Sequence, residues 1–157
     1  MFAALANSPL AHSLHRLAWL PQFLETIHMT FHALLVGAVV LLALRLLGFG
    51  RTIPLPMLTR YLLPACWVSL AALAATGGLM FVMAADKYVA DGYFLLKIAM
   101  ALEGIVILIL AQVFLPRFAV GWDRGGATPL AVQLLAGATI PIWMAVIVFG
   151  RFIYTAL

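Results

Sequence analysis

The chain has 157 residues, of which 66% are hydrophobic and only 9% charged, with a formal net charge of +4 and a mean hydropathy of +1.16. A water-soluble domain carries roughly 25% charged residues, so this composition excludes one and requires that most of the surface face a lipid bilayer. The basic residues are spread over connections rather than gathered in a run, which argues against a nucleic-acid surface, and the single cysteine, Cys66, excludes an intrachain disulfide.

The first stretch, MFAALANSPLAHSLHRLAWL, lacks a basic leader before an apolar run, so no cleavable signal peptide is expected. From Ser8 to Leu20 the pattern predicts a short amphipathic helix lying in the membrane interface. Ser8 is a candidate N-cap, Pro9 the first helical residue, and Trp19 sits at headgroup level.

Four spans follow, at about residues 21–48, 61–85, 94–115 and 129–152, each close to the ~20 residues that cross the hydrocarbon. Gly48, Gly50, Pro54 and Pro56 punctuate the first connection, Pro116 and Arg117 are expected to end the third span, and Pro141 lies inside the fourth. Asp123 and Arg124, before Gly125 and Gly126, read as a solvated turn. The expected architecture is an all-α integral membrane protein: one transmembrane domain over residues 1–157, built as a four-helix bundle with the short interfacial helix at its start.

Basic residues near span ends set the expected orientation. The connections after spans one and three hold Arg45, Arg51, Arg60, Arg117 and Arg124, against Arg16, Lys87 and Arg151 on the other side. By the positive-inside rule, both termini then lie outside the cytoplasm, on the periplasmic side of a bacterial inner membrane.

The polar residues inside the spans are few and lie at matched depths. At about 1.5 Å per residue from Pro21, Glu25 lies about 6 Å, His28 about 10 Å and His32 about 16 Å deep. Counted from Tyr93, Lys97 falls near 6 Å and Glu103 near 15 Å. This pairs Glu25 with Lys97 and His32 with Glu103 between spans one and three. Thr76, Gly77, Gly78, Met80 and Met83 of span two, and Trp143 and Arg151 of span four, occupy the same half. Ionisable groups at such depth face the bundle interior and pair, and a functional site is their default reading.

Three chemistries suit this set. A b-type haem takes His28 or His32 as one axial ligand, with Met80, Met83, water or an open position on the other side. Two histidines on one helical face cannot clamp a macrocycle from both sides, so bis-histidine ligation within one chain is excluded apart from a reach by His12 or His15; a site shared in a homo-oligomer stays open. A copper ion suits His28, His32, Met80 and Met83, with Glu25 and Glu103 as oxygen donors. The third reading is structural: a Glu25–Lys97 pair fixing bundle register, with Lys97 and Arg151 reaching the surface and Cys66 an inert buried thiol.

Glu-Thr-Ile-His, Glu25 to His28, opening the first span, and Tyr-Phe-Leu-Leu-Lys, Tyr93 to Lys97, opening the third, resemble a small four-helix bacterial inner-membrane family of unknown function. More distantly, Gly92 to Lys97 is similar to the Gly-Trp-x-x-x-Lys start of the third span in HemJ-type protoporphyrinogen oxidases. CopD-type copper-resistance membrane proteins share the general plan. The HemJ resemblance implies haem b, with His28 and Lys97 functional; Glu103 stands where that pattern has a further histidine. The leading expectation is a redox membrane protein. In it His28 is the axial ligand, His32 a second ligand or proton donor, Lys97 and Arg151 partners of propionates or of Glu25, and Glu103 a proton relay. Electrons would pass to quinone or a periplasmic partner.

Overall fold

The computed structural model describes residues 2–123 and 128–156. They form two short helices, α1 (Phe2–Ala6) and α2 (Pro9–His15), and the long helices α3 (Leu20–Leu46) and α4 (Leu55–Met83). A short α5 (Ala85–Ala90) leads to the last two long helices, α6 (Gly92–Asp123) and α7 (Leu130–Ala156). The four long helices are long and apolar enough to cross a membrane, and only 17 to 33% of each apolar window is buried within the protein. Most of their Leu, Ile, Val and Phe side chains therefore point outward, which suits lipid and would be untenable in water. This is the architecture of a multi-pass, all-helical membrane protein.

Local chemistry explains the helix starts. Ser8 caps α2, its Oγ accepting from the Ala11 N–H at 3.2 Å, with Pro9 at the first position as expected. The helix closes at His15, short of Leu20, and Ala11 is fully buried, so α2 packs on the bundle through that residue. Asp91 begins α6: its Oδ1 accepts from the N–H groups of Tyr93 (2.7 Å) and Phe94 (3.2 Å), serving donors that a helix start leaves unpaired.

Two span boundaries differ from expectation. α4 begins at Leu55 rather than Tyr61, because Pro54 and Pro56 fall at the cap and in the first turn, where a missing N–H costs nothing; Pro64 is consequently inside the helix. α6 runs through Pro116 to Asp123, a proline being tolerated where neighbouring elements re-satisfy the freed carbonyl.

Asp123 is also not in a solvated turn. Its Oδ1 meets Arg45 Nη2 at 2.6 Å and its Oδ2 accepts from the Leu55 N–H at 2.7 Å, while Arg45 Nε donates to the Ile53 carbonyl at 2.8 Å. The side chains are only 10% and 19% exposed. One carboxylate thus caps α4 from the far end of α6 and ties both to α3, with the chain between turning through left-handed Gly48 (φ 102°) and Gly50 (φ 62°). Arg124 to Ala127, the rest of the expected turn, lies outside the described residues.

The long helices form a square. α3 packs on α4 and α7, and α6 on α7 and α4, leaving α3 and α6 on a diagonal. The core has two clusters, Leu35, Leu42, Leu63, Cys66, Trp143 and Val146 and Ala43, Leu46, Leu55, Leu115 and Ala119, with partly buried Ala111 packed against both. Ser69, Thr59 and Thr139 are buried in it, and each returns its hydroxyl proton to a carbonyl of its own helix, so none is left unpaired. The diagonal opens in the half nearer the chain termini.

Candidate functional site

There the four long helices line a half-open cavity of about 580 Å³, with Phe2 of α1 and Tyr88 and Val89 of α5 at its edge, within the ~300–1,000 Å³ of small-molecule sites. α3 contributes Glu25, His28 and His32, α6 contributes Lys97, α7 Arg151, and α5 Tyr88; the remaining wall is apolar, with Met80 and bare Gly77 and Gly78 from α4. The predicted depth ladder is therefore assembled in one chamber, except for three members, of which Thr76 is buried in α4 and does not line it. Met83 is buried outside it, its carbonyl accepting from His15 Nε2–H at 3.0 Å. Glu103 does not line it and is exposed on the outer face of α6, so the expected His32–Glu103 pairing does not form.

His28 is oriented by α4. Its Nδ1 lies 2.9 Å from Thr76 Oγ1, and that hydroxyl already donates its proton to the Ala72 carbonyl at 2.7 Å. With that proton on the Ala72 carbonyl, the hydroxyl accepts from His28 Nδ1–H, the arrangement in which one proton serves each contact. It puts the ring proton on Nδ1 and the lone pair on Nε2. The ring edge lies against Gly77, where a Cβ would come within 3.1 Å of Cε1. Glycine at 77 is what lets the imidazole sit this close to the α4 backbone.

One helical turn deeper, His32 is 3% exposed and its Nε2 has no hydrogen-bond partner. Its ring stands edge-on to His28 (centroids 6.1 Å) and to Trp143 (6.3 Å). Trp143, 2% exposed, has an equally unpartnered Nε1. Both residues line the cavity, while His32 Nε2 and Trp143 Nε1 are themselves buried without a hydrogen-bond partner among the described residues. Buried groups of this kind call for a ligand or water.

Lys97 reaches the chamber along α7. A Cβ on Gly150 would stand 3.1 Å from Nζ and 3.4 Å from Cε, so this glycine provides the lysine's groove. The expected Glu25–Lys97 ion pair is not made: among the described residues the ion pair is Arg45–Asp123. Lys97 and Arg151 are left as cations on the α6–α7 side, and Glu25 as an acid on the α3 side.

The mouth is aromatic. Phe81, Tyr88 and Phe94 stack in a triangle with centroids 5.2 to 6.2 Å apart, and Phe2 of α1 meets Phe81 edge-on at 6.2 Å. Burial, and next the Glu25 carboxylate, push the Tyr88 phenol above its ordinary pKa. Past the floor, Trp143 also borders a second, largely apolar cavity of about 140 Å³ between α3, α6 and α7.

Several of these residues carried no local signal. Gly104, where a Cβ would come within 2.8 Å of the Trp143 ring, Gly150 and Tyr88 matter through contacts far apart in sequence, and only their place in or beside a span hinted at them. Of the residues suited to copper, His28, His32 and Met80 line the chamber and Met83 does not, and among the described residues no group of three or more His, Cys, Asp and Glu comes together. No family model matches the chain, and no curated protein or solved structure matches it either.

Proposed function

We propose that the chain is a membrane redox protein that binds b-type haem in this chamber through His28 Nε2 and exchanges electrons with a quinone or a soluble partner. The observation that carries the reading is the hydrogen bond from His28 Nδ1–H to Thr76. A metal-ligating imidazole needs its second nitrogen protonated and held by an acceptor, which fixes the ring and raises its basicity. His28 has that arrangement before any ligand is present.

The rest of the chamber fits such a group. Bare backbone at Gly78, where an added Cβ would meet no atom within 4 Å, admits the edge of a flat macrocycle, and the walls are apolar. Lys97 and Arg151 are suited to two carboxylates. His32 lies on the same helical face as His28, so it serves as a hydrogen-bond partner or proton holder rather than as the opposite ligand. Met80 lines the adjoining wall and would set a thioether beside such a group. When bound, haem supplies one-electron chemistry. The protein's part is to hold it, exclude bulk water behind the aromatic mouth, and offer Glu25 and Tyr88 as proton-carrying groups there.

The excess of arginine at the far end of the bundle supports an orientation with the cavity and both termini on the periplasmic side of a bacterial inner membrane. The test is the visible spectrum and metal content of detergent-purified protein from cells supplied with haem precursor and copper. A Soret band that disappears in His28→Ala and survives in His12→Ala is the expected result. Bound copper without that band would shift the assignment to copper handling. A blank sample would leave the polar cluster a packing device in a structural subunit.

A further inference from the structure

Glu103 is the polar residue that the chamber does not use. Counted from Gly92, it lies about 16 Å along α6 at 1.5 Å per residue, the middle of a ~30 Å hydrocarbon layer. It is exposed on the outside of the bundle, and its carboxyl has no hydrogen bond or ion pair among the described residues. In either protonation state a carboxyl needs partners that lipid tails cannot supply. Core-facing Gly104 and Leu108 lie about 100° and 140° around the helix from it, so Glu103 projects from the outer face.

Its surroundings have a second property. Leu96, Glu103, Leu110 and Arg117 recur every seven residues along α6, interleaved with Ala99, Val106, Val113 and Val120, and all are exposed. Steps of alternately three and four residues form the narrow seam of two helices that wind around each other, and a lone polar residue in such a seam selects its register. α6 is also the least buried of the four spans, with 17% of its apolar window covered. It has the most free surface to offer.

We infer that the outer face of α6 is a dimer interface with a second copy of this chain. Copies inserted in the same orientation place α6 parallel to its counterpart about a two-fold axis along the membrane normal. A residue at the seam then meets itself. Glu103 meets the carboxyl of the second copy, and the two acids hydrogen-bond to each other between Ala99 and Val106, whose small and β-branched side chains permit close approach. The occupant is a second copy because a seam with one central carboxyl is self-complementary. A different membrane partner would need a cation or amide at that depth. The inference rests on α6 alone and is independent of what fills the cavity.

The test uses full-length protein in native membranes, in a Cys66→Ala background, with cysteine introduced singly and mild oxidation applied. Ala99→Cys, Val106→Cys and Val113→Cys should give disulfide-linked dimers of twice the chain mass, whereas Ile98→Cys and Gln112→Cys, on other faces of α6, should not. In a separate arm, Glu103→Leu should weaken dimerisation in detergent about tenfold, and Glu103→Gln, which keeps paired hydrogen bonding, should preserve it. Equal cross-linking at seam and control positions, adducts of another mass, or full dimerisation by the Glu103→Leu variant would each overturn the assignment.

Discussion

Trp143 occupies the space that a side chain at position 104 would need: a Cβ on Gly104 would lie 2.8 Å from both Cε2 and Cζ2 of the indole. The ring is 2% exposed and stands between two cavities, so an added methyl must push it into one of them. This contact sets the floor of the chamber and separates it from the apolar cavity beyond. Gly104→Ala gains roughly 1 kcal/mol of helix propensity but forces the indole aside, at a cost of about 1–3 kcal/mol for overpacking. Net destabilisation is expected, read as a lower Tm in detergent. Trp143→Leu in the same chain should reverse part of it, because neighbouring changes that relieve one clash are non-additive.

Adjacent glycines on α4 should respond differently to the same substitution. At Gly77 a Cβ would come within 3.1 Å of His28 Cε1, whereas at Gly78 it would meet nothing within 4 Å. Gly77→Ala should displace the imidazole and weaken the His28–Thr76 hydrogen bond in the empty protein. Gly78→Ala should leave thermal stability unchanged or slightly raised, and lower only ligand uptake, since the methyl then competes for cavity space. Equal loss of stability in the two variants would refute a free cavity wall at Gly78.

Thr76 tests the ligand role of His28 without touching the ring. Thr76→Val keeps the shape but removes the acceptor for Nδ1–H, and a lost second-shell partner typically costs ~10–100-fold in metal-centre affinity. Haem titration of the purified protein should show a drop of that order, with Thr76→Ser restoring most of it. Unchanged affinity in Thr76→Val would remove the main support for His28 as the ligand.

How far all of this could be read from sequence depended on which dimension was asked about. Hydropathy located four spans, and counting along them placed Glu25, His28, His32 and Lys97 at compatible heights. Height is not rotation, however: Lys97 and Glu103 are six residues apart, about 120° around a helix with 3.6 residues per turn, so one faces the chamber and the other the lipid. The Arg45–Asp123 pair was missed because each residue looks like ordinary charge at a helix end; its partner is 78 positions away. The Pro116 boundary failed because a rule learned from helices in water was applied where membrane packing relaxes it.

That ion pair gives a stability prediction. Removing one partner of a covered pair leaves the other uncompensated, at about 3 kcal/mol or more, and Asp123 additionally caps α4 through the Leu55 N–H. Asp123→Ala should therefore lower Tm more than Asp123→Asn, which retains an oxygen acceptor for the cap. Arg45→Ala should fall close to Asp123→Ala, and the double variant should cost less than the sum of the two.

Tyr88 provides a pH test at the mouth of the chamber. Its phenol is raised by burial first and by the Glu25 carboxylate second, from an ordinary value near ~10. A group whose pKa is higher in the folded state contributes stability that is fully present below the unfolded value and is lost as pH rises through the folded one. No effect is expected near neutrality. Above pH ~10 the folded protein should lose stability, as ionised Tyr88 is forced to sit beside Glu25 among Phe81 and Phe94. Tyr88→Phe should flatten that decline, and Glu25→Gln should shift the tyrosinate absorbance titration towards lower pH. A titration unmoved by Glu25→Gln would mean that the carboxylate does not face the phenol, and that α5 covers the chamber by apolar contact alone.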